Sequence, residues 1–115
     1  MIDLPAIKDI IATYEKHGWI LRRVLLSPVS KRKFVDSLAD LVGGIPFADA
    51  EFDAAWFSRS PKTGAVAWEI RYLGELQFAL LETVDESDPA FESYLHNIEE
   101  RLKQSIAAKI SGLTT

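Results

Sequence analysis

The stretch EFDAAWFSR (51–59), SPKTG (60–64), AVAWEIRYL (65–73) and, after Gly74 and Glu75, LQFALLETV (76–84) decides the fold. Each apolar segment is rich in aromatic, β-branched and aliphatic residues and is bounded by turn formers, so three consecutive strands are expected. Lys62, Thr63 and Gly64 suit a three-residue hairpin loop in which Gly64 takes a left-handed bulge. That loop opposes even-numbered residues to even-numbered ones. One face then gathers Phe52, Ala54, Trp56, Val66, Trp68, Ile70 and Tyr72. A slip of one residue would scatter this set over both faces, and the hydrophobic pattern selects against it. The opposite face carries Ala55, Phe57, Ala65, Ala67, Glu69 and Arg71 and is flatter. The last strand is apolar on both sides, with Leu76, Phe78 and Leu80 against Ala79 and Leu81. Such a strand is usually covered on both faces.

Working outward, DPAFESYLHNIEERLKQSIAAKI (88–110) has apolar residues at 91, 95, 98, 102 and 106. This spacing predicts a helix from Pro89 to Ile110, capped by Asp88. At 22 residues by this reading, it spans ~33 Å and overhangs a small sheet. Upstream, Leu4 to His17 reads as a helix with Asp3 as cap, Pro5 in its first turn and Gly18 as its stop. Trp19 to Leu26 reads as a strand interrupted by Arg22 and Arg23. Alternation sends one arginine to each face. Lys31 to Val42 reads as a helix with Ser30 as cap, ended by Gly43-Gly44, and GGIPFADA (43–50) reads as loop.

The expected fold is therefore α+β, a single domain over residues 1–115 in the order α-β-α-β-β-β-α. It has a four-stranded, mainly antiparallel sheet and three helices. The hairpin connections make the last three strands a meander, while the neighbour of the first strand stays open between the second and the fourth.

Composition narrows the function classes. The chain has 115 residues, no cysteine, 26% charged and 48% hydrophobic residues. Its length supports a core without staples. The missing thiols exclude disulfides, thiolate catalysis and Cys-ligated metals. Net charge is −4, which disfavours nucleic acid and anionic membrane as partners. The first residues carry acids where a secretion signal needs bases, and no apolar run approaches a membrane span, so the cytoplasm is expected.

Neither a GxGxxG, a GxxxxGK[ST] nor a GxSxG pattern occurs, so no cofactor, metal or catalytic residue is assigned. His17 reads as a helix-end residue. His96 lies in a stripe with Glu92 and Glu100, which matches neither HExxH nor the Glu-x-x-His of di-iron bundles. The run Lys31-Arg32-Lys33 reads as a solvated face.

The element order from the second helix onward, α-β-β-β-α, is also that of double-stranded-RNA-binding domains. Their last helix begins with cations, whereas here DESDPAFES is acidic, and charge excludes the analogy.

Two readings remain. The first is a non-enzymatic protein–protein interaction or adaptor module, with a second copy of itself or another protein as partner. The second is a small-molecule or anion site made by Arg22, Arg23 and Arg71 beside Trp56 and Trp68. The structural alternative for Arg22 and Arg23 is an ion pair with Glu69 or Glu82.

Overall fold

A computed structural model describes residues 2–60 and 66–114. The hairpin loop at 60–64 therefore falls largely outside the described residues. The elements are α1 (Leu4–Lys16), β1 (Ile20–Leu26), α2 (Pro28–Val42), β2 (Phe47–Asp49), β3 (Ala54–Arg59), β4 (Val66–Tyr72), β5 (Ala79–Val84) and α3 (Phe91–Thr114). The sheet is mixed, with strand order β2-β1-β3-β4-β5.

Five strands, not four, make the sheet. The additional strand, β2, has only three residues and follows Pro46, too few for any periodic signal. It pairs parallel with β1, Val24 opposite Phe47 and Leu26 opposite Asp49, with α2 as the crossover between them. The first strand lies between β2 and β3 and runs antiparallel to β3.

The register of the central hairpin follows the even-to-even pattern. Ala54 opposes Tyr72, Trp56 opposes Ile70 and Ser58 opposes Trp68. The meander continues with Ile70 opposite Leu80 and Val66 opposite Val84. The even face packs under α3, burying Ala54, Trp56, Trp68, Ile70 and Val84 against Leu95, Ile98, Leu102 and Ile106. The odd face packs under α1 and α2, where Ala55, Phe57, Leu21, Val24 and Leu26 meet Ile7, Ile11 and Leu38. Ala55, expected on a shallow open face, is therefore buried. Helices cover both faces of β1 and β3, because α1 and α2 share one side and α3 alone serves the other.

Helix ends show where local chemistry outweighs periodicity. Asp3 caps α1 by accepting from the Ala6 N–H at 2.9 Å. Gly18, with φ of 86°, ends it in the left-handed region that favours glycine. α2 begins earlier than the apolar stripe suggests. Ser27 is its cap and Pro28 sits in its first turn, while Ser30 is buried one turn further in. Asp88 accepts from the Ala90 N–H in the turn before α3, and the helix starts at Phe91, later than the Pro89 start expected with Asp88 as its cap. The stripe of α3 is buried as far as Ile106, but Ile110, next on it, is 46% exposed, so the helix does overhang the sheet.

Candidate functional site

Arg22 and Arg23 do not alternate. Leu21 opposes Phe57 and Arg23 opposes Trp56, so two residues of β1 stand against one of β3. This β-bulge sends both arginines to the α3 side. Arg23 makes a two-pronged contact with Glu92 of α3, Nη1 to Oε2 at 3.2 Å and Nη2 to Oε1 at 3.0 Å. Arg22 lies 5.4 Å from the Trp68 ring centroid and 3.9 Å from Glu86. The sequence-based partners, Glu69 and Glu82, are engaged elsewhere. Glu82 accepts from Arg101, and Glu69 accepts from the Tyr14 hydroxyl.

Trp56 and Trp68 stand edge to face at 5.8 Å, and Trp68 meets Phe91 in the same way at 5.2 Å. Both tryptophans are buried beneath α3. Trp56 Nε1 donates to Glu99 at 2.8 Å, whereas buried Trp68 Nε1 has no partner among the described residues. The slot between sheet and helix is thus filled by side chains. Arg71 lies on the other side of the sheet, against α1, and donates to the Tyr72 carbonyl. Four of the five sequence-based ligand residues share the α3 side of the sheet, where Arg22 and Trp56 meet Trp68, and Arg71 does not join them. The Nη atoms of Arg22 and Arg23 are directed at carboxylates, and this favours the structural ion pair over an anion anchor.

Tyr14 is the most perturbed group on the α1 side. Its ring stacks on Phe57 at 4.0 Å. Burial raises its pKa most, and its hydrogen bond to Glu69 and that carboxylate's charge raise it further. A phenol that holds its proton more tightly when folded stabilises the fold at neutral pH. That contribution falls away as pH rises above about 10, where the unfolded phenol ionises. The stability difference between the native chain and Tyr14→Phe is therefore expected to shrink between about pH 8 and pH 11. Urea unfolding at the two pH values measures it, and a constant difference would show that the Tyr14 hydroxyl is not held this way.

A further feature lies on the flank of the sheet. β5 is an edge strand with no neighbour on its outer side. α1 reaches Glu69 and Arg71 on the odd face of β4, but beyond them, on the odd face of β5, Leu81 is 59% exposed and Thr83 is open to solvent. On the even face, α3 runs antiparallel along β5. Tyr94 shares a cleft of about 130 Å³ with Thr83, Val84 and Phe91. Further along, Arg101 Nη1 bonds Glu82 at 2.9 Å, and Lys109 Nζ lies 4.9 Å from the Phe78 ring centroid. Among the described residues, the exposed large hydrophobic side chains are Ile20, Val29, Leu81, Tyr94 and Ile110, of which the last three belong to β5 and α3. The signal for this flank was the two-sided apolar strand LQFALLETV, read as covered on both faces.

No helix among the described residues is long and apolar enough to cross a membrane. No group of three or more His, Asp or Glu side chains among them converges as a metal would require. No protein-family model, curated protein or solved structure matches the chain.

Proposed function

We propose that the chain is a non-enzymatic protein–protein interaction module that associates with itself. The observation that carries this reading is the exposed apolar surface at the free edge of the sheet, Leu81 on β5 and Tyr94 on α3 beside Thr83 and Val84. Apolar surface gathered at one flank is the usual mark of a contact surface. A twofold contact that repeats one patch is the commonest way to bury it. The ligand reading draws less support, because Arg22 and Arg23 already face Glu86 and Glu92 and the two tryptophans are packed under α3.

Sedimentation at micromolar concentration tests the proposal. A species of twice 12.9 kDa, giving way to the single chain on tenfold dilution, is the expected result. A single species of 12.9 kDa, unchanged as concentration rises tenfold, removes the proposal.

A further inference from the structure

We infer that the contact is an antiparallel pairing of two β5 strands across a twofold axis at Leu81, joining the two sheets edge to edge. This rests on the self-association reading and adds its surface and register.

Backbone geometry gives the register. The Tyr72 N–H donates to the Phe78 carbonyl at 2.9 Å. Peptide groups alternate along an antiparallel pair, so even-numbered residues of β5 bond to β4. Ala79, Leu81 and Thr83 then direct their N–H and C=O groups outward. This outward set is symmetric about Leu81, so two copies can exchange bonds at Leu81 itself and place Ala79 opposite the partner subunit's Thr83.

Side chains agree with the same axis. Edge strands are normally blunted by shortness, charge, proline or a bulge. The other edge of this sheet is blunted: β2 has three residues, follows Pro46 and ends on Asp49. β5 has six residues, an unbroken register with β4, and no charge or proline at its outward-bonding positions. On the odd face the axis sets Leu81 against the partner subunit's Leu81, and directly opposed Cβ atoms lie about 5 Å apart. That closes over the most exposed large hydrophobic side chain of the protein's described residues.

On the even face each Glu82 arrives already paired with its own Arg101, so no bare like charges meet. Because α3 runs antiparallel to β5, the axis lays the two α3 helices side by side in opposite directions.

Two single substitutions test this. Leu81→Lys sets two ammonium groups face to face on the axis while leaving the β4–β5 ladder intact. It should weaken dimerisation by more than about tenfold with the monomer still folded by circular dichroism. Leu81→Cys introduces the only thiol into a cysteine-free chain. Cα atoms of a hydrogen-bonded antiparallel pair lie about 5.5 Å apart, within disulfide reach, so mild oxidation should give a covalent dimer. Val29→Cys, an equally exposed position on α2, should stay uncrosslinked.

A native chain that is monomeric throughout overturns the self-association reading. A native dimer that Leu81→Lys leaves intact, with Leu81→Cys no more crosslinked than Val29→Cys, overturns the β5 contact alone.

Discussion

Trp68→Ala is expected to cost ~3–5 kcal/mol in urea unfolding, because it opens a cavity between β4 and the start of α3 that the backbone cannot close. Trp68 is 3% exposed and is held by Trp56 on one side and Phe91 on the other. A loss below about 1 kcal/mol would place it on the surface and reverse the assignment of the sheet's faces. The phenylalanine variants sharpen the test. Trp68 Nε1 is buried without a partner among the described residues, so Trp68→Phe removes an unsatisfied donor along with some packing. Trp56→Phe removes comparable packing but also breaks the bond to Glu99. Trp56→Phe should therefore be the more damaging of the two, and the reverse order would mean that Trp68 Nε1 does find an acceptor.

Asp53→Ala is the second large effect. Asp53 is 8% exposed. It accepts from the Ser27 N–H at 2.8 Å and from the Ser30 hydroxyl at 2.7 Å, fixing the start of α2 to the start of β3. Its own carbonyl accepts from the Leu73 N–H, so one residue ties together the mouths of α2, β3 and β4. Alanine leaves two donors near the core without an acceptor, at about 1–3 kcal/mol each, so a total near 3 kcal/mol is expected. Asp53→Asn keeps an oxygen for the Ser27 N–H and lets the Ser30 hydroxyl rotate to accept, so most of the loss should be recovered. Equal losses for alanine and asparagine would show that α2 requires the carboxylate itself, with both of its oxygens as acceptors.

The central hairpin was legible in the sequence because its two faces differ sharply. A slip of one residue would split Trp56 from Trp68 and Ile70 across the two faces, so only one pairing satisfied the pattern. The capping residue of α1 was equally readable, since Asp3 stands just ahead of a well-formed apolar stripe. Three features were not legible. β2 is three residues long and held by its pairing to β1, and nothing in Phe47-Ala48-Asp49 alone separates it from loop. The bulge at Arg22 and Arg23 breaks strict alternation, and it shows only once Leu21 and Arg23 are seen against consecutive residues of β3. The start of α2 is fixed by Ser27 and Pro28, ahead of the stripe, with Ser30 drawn inward by a carboxylate 23 residues away.

The candidate surface was half legible. LQFALLETV displayed its two apolar sides, and two-sided burial followed from assuming that helices reach every strand. α1 and α2 instead cluster over β1 and β3, leaving the odd face of β5 open. The overhang of α3 was readable from its length alone, because a helix of 24 residues extends ~36 Å, beyond the strands beneath it.

Amide hydrogen exchange at β5 tests self-association through this edge most directly. In the lone chain the N–H groups of Ala79, Leu81 and Thr83 point outward and should exchange as fast as open loop amides, while those of Leu80 and Glu82 are protected by β4. Raising the concentration from dilute to high micromolar should bring protection to Ala79, Leu81 and Thr83 together and leave Leu80 and Glu82 unchanged. Fast exchange at Leu81 at every concentration would contradict the account.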